Sequence, residues 1–303
     1  VLAAAARRYA VAYATPEKLH RMRDKRIRWL VGYAASTVPF YRDFFREQGI
    51  DHRDIRHAED LAALPLLDKS TVSDNPERFR SDSHHGRRSL SFKTSGSTGR
   101  PLIIYHDRRS ILENIANSEP QRAAATAFLK SASGYRILRI ERSSSTLVEV
   151  QDFCARNTLI PGKPQHLRMD ITKQPDEVIE RIRELKPDIL GGYGAYLEML
   201  FRYIHEQGID LPLPRLVSNG AEGMTLPGRQ LITEVFGVPV VAAYNAVECF
   251  KIGFQCGHGP DDHLHEDLCH VRIVDDHGKD LPEGGSGTVV ITNLVNRGSV
   301  LLN

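Results

Sequence analysis

A run of small hydroxyl residues and glycines between two cations is the part of this chain whose residue types most directly suggest chemistry. It occupies residues 93–101 (KTSGSTGRP) and precedes an apolar stretch. Glycines let successive backbone N–H groups turn toward an anion, hydroxyls add donors, and Lys93 or Arg100 supplies charge-assisted contacts to phosphoryl oxygens. The run lacks the Gly-Lys-Ser/Thr ending of a Walker loop. A flexible Ser/Gly surface linker has the same composition, so both interpretations stay open.

The elements around this run alternate between short β-prone segments and amphipathic helices. Strands are predicted near residues 102–105, 135–140, 189–190, 215–218 and 238–243, with helices near 110–128, 176–185, 195–205 and 229–236. This rhythm predicts an α/β fold with mostly parallel strands, whose ligand sites lie in loops at the carboxyl ends of the strands. Residues 287–297 are predicted to form a further strand that runs onward.

The part before residue 89 is predicted to be helical, followed by connecting structure. Thr15 before Pro16 is an N-cap signal for a helix that reaches about Tyr33. A second helix is predicted over residues 41–48, with Gly49 at its end. Residues 51–88 are polar and histidine-rich, and we interpret them as connecting and surface structure.

Composition narrows the function classes. The chain has 303 residues, 41% hydrophobic and 26% charged, with a net charge of +2. No basic patch predicts nucleic acid or a membrane surface as a partner, and no run approaches the roughly 18 apolar residues of a membrane span. No signal peptide is recognised, and four cysteines are too few for a disulfide scaffold, which suits a reducing cytoplasm. Small-molecule chemistry is therefore favoured.

Four motifs in order resemble one family. Besides residues 94–99, these are residues 186–197 (KPDILGGYGAYL), 218–222 (SNGAE) and 243–248 (AYNAVE). Together they resemble the adenylate-forming superfamily, which includes acyl-CoA synthetases and adenylation domains, and in particular its phenylacetate-CoA ligase-like branch. The resemblance continues at residues 38–41 (VPFY) and 281–287 (LPEGGSG), so it covers most of the chain.

The resemblance implies roles for individual residues. Glu248 would hold Mg²⁺, Tyr244 would stack near the adenine of ATP, and Arg100 would join Thr94 and Glu248 in the catalytic step. The other implied nucleotide contacts are Ser95, Gly96, Ser97, Thr98 and Gly99 at the phosphates, and Gly220, Ala221, Glu222 and Asn245 near the base. The family usually has glycine at the position of Asn245 and a hydroxyl residue at that of Val247. Gly223 stands where the branch often has proline.

An acyl pocket is predicted beside the second motif. Tyr193, Tyr196 and Phe153 could form its aromatic walls, with Gly194 and Ala195 at the same turn. Core packing is an equal alternative for Phe153 and Tyr196. Residues 139–145 (RIERSSS) could present polar groups to a hydroxylated substrate, or form a strand end and its loop.

The resemblance also implies a domain plan. Residues 1–88 would form a helical segment packed on an α/β core of residues 89–303, which binds nucleotide and acyl group. Together they would be the large N-terminal domain of an adenylate-forming enzyme, without the small C-terminal lid.

A cysteine and histidine cluster near residues 249–270 contains the ligand types that zinc prefers but no clean pair of closely spaced couples. By resemblance, Cys256 and His265 would be zinc ligands. Buried thiols and exposed loop histidines are the alternative.

The predicted function is ATP-dependent activation of an aryl or arylacetic acid to acyl-AMP, followed by transfer to coenzyme A. The cofactors would be ATP, Mg²⁺ and coenzyme A, with zinc as a further candidate, and a homodimer is a candidate assembly. Three alternatives stay open: loading of a carrier-protein thiol, transfer of AMP to another acceptor, and a non-catalytic nucleotide or acyl sensor.

Overall fold

The computed structural model describes residues 11, 14–84, 89–94, 101–131, 133–157, 165–257, 259 and 261–303. Within them the chain divides into two compact units. The first contains residues 117–245 and 253–264, and the second contains residues 7–116, 246–252 and 265–303. Both units are discontinuous in sequence, and the predicted boundary at residue 88 falls inside the second. The division at that residue stays a prediction.

The first unit is built on a seven-stranded sheet. The strands in the described residues are β3 (Arg136–Glu141), β4 (Gln165–Asp170), β5 (Ile189–Tyr193), β6 (Leu216–Gly220), β7 (Val240–Tyr244), β8 (Gly253–Phe254) and β9 (His263–Leu264). They lie in the order β4-β3-β5-β6-β7-β8-β9. The first five are parallel, and the last two are antiparallel additions.

Helices alternate with these strands, which confirms the α/β prediction. The helices of this unit are α5 (Ser118–Leu129), α6 (Thr146–Asn157), α7 (Pro175–Leu185), α8 (Gly194–Glu206) and α9 (Leu226–Gln230), the last continued by a π-helical turn (Leu231–Val235). Side chains alternate across each strand. One face therefore buries Leu138, Ile140 and Leu190 with α7 and α8, while the other buries Ile137 and Ile189 against Leu129 of α5.

The second unit combines helices with two antiparallel hairpins. Its elements are α1 (Pro16–Thr37), α2 (Pro39–Gln48), α3 (Lys69–Asp74), α4 (Arg108–Ala116), β1 (Leu90–Lys93), β2 (Ile103–His106), β10 (Cys269–Val274) and β11 (Thr288–Asn293). Four 3₁₀ turns lie between α2 and β1 (His52–Asp54, Glu59–Ala63, Pro76–Phe79 and Asp82–His84). Gly49 ends α2 in the left-handed conformation, as predicted.

Several predictions need correction. Residues 51–84 are not only surface structure, because Leu61, Val72 and Phe79 are buried in the core of the second unit. The buried residues could not be predicted because they occur singly between short polar turns and therefore show no helical or strand periodicity. Thr15 precedes α1, but its side chain makes no capping hydrogen bond. The predicted helix over residues 110–128 is two helices, and the last strand ends at Asn293 instead of running onward.

No helix in the described part of the chain is long and apolar enough to cross a membrane. All four cysteines are free thiols.

Candidate functional site

Three neighbouring parallel strands of the first unit end in predicted site residues. β5 ends at Tyr193, β6 at Gly220 and β7 at Tyr244. Tyr193 is in register with Gly220, and Asn219 is in register with Ala242. Because ligands of open α/β sheets bind beyond the carboxyl ends of the strands, this edge is the candidate nucleotide and acyl site. The sheet thus brings together residues that lie about 50 positions apart in sequence.

The loop after β6 folds back onto the start of α8. The Glu222 Oε1 atom accepts a hydrogen bond from the Ala195 N–H at 3.2 Å. The buried Asn219 donates its Nδ2 to the Glu222 backbone carbonyl at 3.4 Å, and Ala221 adopts a left-handed φ of 65°. A carboxylate at a helix N-terminus is favourable because the first N–H groups of the helix lack partners. Glu222 therefore links the predicted base loop to the predicted acyl turn.

Gly194 is required by packing at this point. A Cβ atom placed on it would lie 2.3 Å from the Gly223 carbonyl oxygen, which is closer than any real contact. The first turn of α8 and the loop after β6 can touch only because Gly194 has no side chain.

The aromatic candidates for the acyl pocket have different surroundings. Tyr193 is half-buried, and burial raises the pKa of its phenol. Phe153 on α6 is buried. Tyr196 packs against the α7 and α8 core and donates its hydroxyl to the Lys173 carbonyl at 2.8 Å. These contacts favour the packing alternative for Tyr196, and its place in the acyl pocket stays a prediction.

Tyr244 and Asn245 are both exposed beside the end of β7. Tyr244 is 40% exposed at the end of β7. The Asn245 side chain is exposed, and its Nδ2 atom lies 3.7 Å from where a Cβ atom on Gly220 would be. An exposed aromatic ring at this edge could stack on a flat base.

Glu248 lies in a turn of the second unit that is held through its backbone. The Glu248 carbonyl oxygen accepts a hydrogen bond from Asn293 Nδ2 at 2.7 Å. The preceding carbonyl, that of Val247, accepts from His106 Nε2 at 2.8 Å. Phe250 closes the turn with a left-handed φ of 60° and an N–H bond to the Ala246 carbonyl at 2.6 Å. The Glu248 carboxylate thus projects from a rigid backbone.

His106 is a further residue of this turn's surroundings and was not predicted from the sequence. Its side chain is fully buried, and burial lowers its pKa to about 4, so the ring is neutral near pH 7 and its Nε2 carries the proton that Val247 accepts. The ring stacks on Phe250 at a centroid distance of 4.0 Å, and Phe92 contacts both rings edge-on. A histidine at the end of a predicted strand was the only signal for it.

The predicted phosphate loop is fastened at both ends. The Thr94 N–H donates to the Leu102 carbonyl at 3.0 Å, and the Leu102 N–H donates to Thr94 Oγ1 at the same distance. The run therefore connects the antiparallel strands β1 and β2. Six predicted contacts lie outside the described residues: Ser95, Gly96, Ser97, Thr98, Gly99 and Arg100.

Cys256 and His265, the predicted zinc ligands, both lie among the described residues. Cys256 Sγ lies 3.0 Å from His263 Nε2. His265 is buried, and burial lowers its pKa to about 3. Among the residues that the structure describes, no group of three or more His, Cys, Asp or Glu side chains could hold a metal ion.

Comparison with known proteins supports the resemblance. No protein-family model matches the chain. The phenylacetate-coenzyme A ligase of Thermus thermophilus is 26% identical over 301 residues, covering 94% of this chain and 64% of the relative. That of Escherichia coli strain K12 is 24% identical over 308 residues, covering 93% and 64%. The resemblance to the phenylacetate-CoA ligase-like branch is thereby confirmed, and the chain spans just under two thirds of the length of these relatives.

The fold is that of solved CoA ligases. A 2-hydroxyisobutyryl-CoA ligase in complex with 2-HIB-AMP and CoA in the thioesterification state superposes with a TM-score of 0.71 at 18% identity. The match covers 95% of this chain and 62% of that one. Its open conformation gives a TM-score of 0.69. The α/β fold predicted for the large domain of an adenylate-forming enzyme is therefore correct.

Proposed function

We propose that this chain binds ATP and a carboxylic acid and activates the acid to acyl-AMP, which then reacts with coenzyme A. The observation that carries the proposal is the shared edge of β5, β6 and β7, where Tyr193, Gly220 and Tyr244 end adjacent parallel strands. This is where a doubly wound sheet binds nucleotides. The likeness to phenylacetate-coenzyme A ligases over 94% of the chain supports the same activity.

The reaction needs positioning more than a side-chain nucleophile. A carboxylate oxygen of the substrate attacks the α-phosphorus of ATP, the bond to the bridging oxygen breaks, and pyrophosphate leaves. The thiolate of coenzyme A then attacks the acyl carbonyl, and AMP leaves. Holding the reactants in line and neutralising the charge that develops supply the catalysis.

Each predicted contact has one task in this scheme. Tyr244 stacks on the adenine, and the backbone of residues 220–222 borders it. Thr94 and the loop that follows hold the β- and γ-phosphates, with Arg100 as the cation. Tyr193, Gly194 and Ala195 line the acyl group, together with Phe153.

Glu248 fits a magnesium ion. Its carboxylate is half-buried and projects from a backbone held by Asn293 and His106. Mg²⁺ commonly takes one or two carboxylates and completes its octahedron with phosphate oxygens and water. The bound ion would neutralise charge on the phosphates.

A non-catalytic sensor is the second candidate function. Val247 stands where the family usually has a hydroxyl residue, and its side chain packs against the core of the second unit. The position therefore offers no donor to a phosphate. A protein that lacks this donor would bind ATP and the acid without forming acyl-AMP.

The test is acid-dependent exchange of pyrophosphate into ATP by the full-length protein, with aryl, arylacetic, fatty and amino acids. Exchange with one acid, abolished in Glu248→Gln and retained in the exposed control Glu283→Gln, supports the proposal. ATP binding without exchange supports the sensor. Acyl-AMP that forms but is not captured by coenzyme A indicates a carrier-protein thiol or another acceptor.

Three further assignments belong to the proposal. The absence of disulfides among the four cysteines suits a reducing cytoplasm. Localisation of the tagged protein tests a cytoplasmic location. Light scattering tests a homodimer. Cys256 and His265 as zinc ligands are tested by metal analysis of protein purified without chelator, and less than about a tenth of an equivalent excludes them.

A further inference from the structure

The second face of the parallel sheet changes from apolar to charged toward the carboxyl ends of its strands. Near the amino ends it carries Tyr135 and Ile137, buried against α5. Two residues further along, Arg139 on β3 is in register with Arg168 on β4, and Glu141 is in register with Asp170. Residues in register on parallel strands point to the same face. Four charged side chains therefore stand at the edge that also carries Tyr193.

Three of these charged residues, Glu141, Arg168 and Asp170, line a cavity of about 270 Å³. We call it the charged cavity. It is lined by Glu141, Ser143, Val148, Arg168, Met169 and Asp170. This volume is slightly below the range of small-molecule sites, which begins at about 300 Å³. The charged cavity has room for a small organic group, and its walls are mostly polar.

Two of its charged walls already have protein partners. Arg168 binds Gln151 Oε1 at 2.7 Å and Asp152 Oδ1 at 3.2 Å. Asp170 accepts the Ser143 hydroxyl at 2.6 Å and the Thr172 hydroxyl at 2.8 Å, and these bonds lower its pKa. Both side chains are therefore fixed by the unit itself.

Glu141 is the exception. It is 5% exposed, and its Oε1 atom has no hydrogen-bond partner among the described residues. Arg168 Nε lies 3.7 Å from this oxygen, which is beyond hydrogen-bond range. A buried carboxyl oxygen without a donor is unfavourable, and such atoms are rare in native structures. The charged cavity thus contains one acceptor that a ligand could satisfy.

The acceptor lies next to the proposed acyl turn. Ile140 is in register with Gly192, so Glu141 and Tyr193 end adjacent strands, about 4.8 Å apart in the direction of the sheet hydrogen bonds. An acid whose carboxylate lies by Tyr193 could reach the charged cavity with its other end.

We propose that the charged cavity receives the distal end of the carboxylic acid, and that the acid carries a hydroxyl or amino group there which donates to Glu141 Oε1. This inference rests on the proposed function and narrows its substrate class. A purely apolar acid would leave the Glu141 oxygen buried without a donor, so the site would select against it.

The experiment compares acids that differ only in the distal group. The full-length protein is given 4-hydroxyphenylacetate, 4-aminophenylacetate or 4-methylphenylacetate, and 5-hydroxypentanoate or hexanoate. The kcat/KM of ATP–pyrophosphate exchange and the Kd by calorimetry without ATP are both measured. The donor acids should be preferred over their methyl partners by about 10-fold or more, because the bond is to a buried carboxylate. The two donor arms show whether the group is a hydroxyl or an amine.

Variants of Glu141 test whether this residue causes the preference for donor acids. Glu141→Leu should abolish it, and Glu141→Gln should reduce it, because an amide oxygen accepts less strongly than a carboxylate. Glu180→Gln makes the same change on the exposed face of α7 and should leave it intact. The inference is overturned if the wild-type protein uses the methyl acids as well as the donor acids. It is also overturned if Glu141→Gln keeps the full preference for donor acids. The second outcome can be measured even if Glu141→Leu does not fold.

The two hypotheses fail separately. Exchange without a donor preference keeps the proposed function and rejects the charged cavity as its acyl subsite. If no acid supports exchange, the proposed function fails. Calorimetry then still tests the charged cavity: donor acids whose binding depends on Glu141 support the inference, and donor acids that do not bind overturn it.

Discussion

The Nε2 atom of His106 donates a hydrogen bond of 2.8 Å to the carbonyl oxygen of Val247, the residue before Glu248. This bond ties the end of β2 to the turn that carries the proposed magnesium ligand. Because His106 is fully buried and neutral, its ring acts as a fixed donor and not as an acid or base. We therefore assign it as a positioning residue for Glu248.

Removing the donor should weaken both stability and exchange. His106→Phe keeps a ring to stack on Phe250 but leaves the Val247 carbonyl without its partner. We expect a loss of about 1–3 kcal/mol in the free energy of unfolding and a rise in the Mg²⁺ concentration needed for exchange. Urea unfolding and a Mg²⁺ titration measure these, with the exposed His277→Asn as control. An unaltered Mg²⁺ requirement would argue against a positioning role.

The same histidine should make stability depend on pH. The unfolded imidazole titrates near 6.5 and the folded one at about 4, so between these values the unfolded chain binds more protons. Stability is therefore full above about pH 6.5 and falls as the pH drops toward 4, by up to about 3 kcal/mol from this group. His270 and His265 act in the same direction. Unfolding at pH 7.5 and 5.0 should show a smaller pH effect in His106→Phe than in the wild type, and equal effects would contradict the burial argument.

A methyl group on Gly194 should disturb the predicted base loop. The added Cβ would meet the Gly223 carbonyl at 2.3 Å, so Gly194→Ala must displace either α8 or the loop after β6. We expect a loss of about 1–3 kcal/mol in stability together with weaker ATP binding. The control is Gly259→Ala, because a Cβ there meets no atom within 4 Å. Wild-type ATP affinity in Gly194→Ala would show that this contact does not hold the loop.

Thiol reactivity should divide the four cysteines into pairs. Cys249 and Cys269 are buried, whereas Cys154 and Cys256 are half-buried. The hydrogen bond to Cys269, together with burial, raises the pKa of the Cys249 thiol. A disulfide reagent at pH 8 should titrate Cys154 and Cys256 in the native protein and reach the buried pair only on unfolding. Rapid reaction of Cys249 or Cys269 in native protein, identified by peptide mapping, would show that the core around them opens.

Local chemistry in the sequence identified one helix end correctly and one strand end too early. Gly49 was predicted to end a helix and does so in the left-handed conformation, whereas Gly191 and Gly192, predicted to follow a strand, lie within β5. Such signals depend on neighbours in sequence, so they are readable without a structure. Tyr193, Gly220 and Tyr244, whose roles were taken from the family resemblance, lie at three strand ends.

Other features were beyond local patterns. Phe79 and Leu61 are core residues although their segment has no periodicity, and the buried role of His106 depends on Val247, 141 residues away. Glu141 lies within residues 139–145, which were interpreted as a possible polar surface for substrate or a strand end. The pairing of β3 with β4 places Arg168 and Asp170 beside it, and side-chain contacts in the folded chain give these two residues hydrogen-bond partners while Glu141 Oε1 has none among the described residues.

The sequence alone determined the fold class, the alternation of helices and strands over residues 175–244, and the family that the chain resembles, because these follow from alternating apolar residues and from short motifs. The tertiary structure alone decided which charged residues share a face, which carbonyl His106 holds and which carboxyl oxygen is left without a donor. Those relationships depend on strand register and on side chains that meet from distant parts of the chain. Burial, which gives each of them its energetic weight, exists only once the chain has folded.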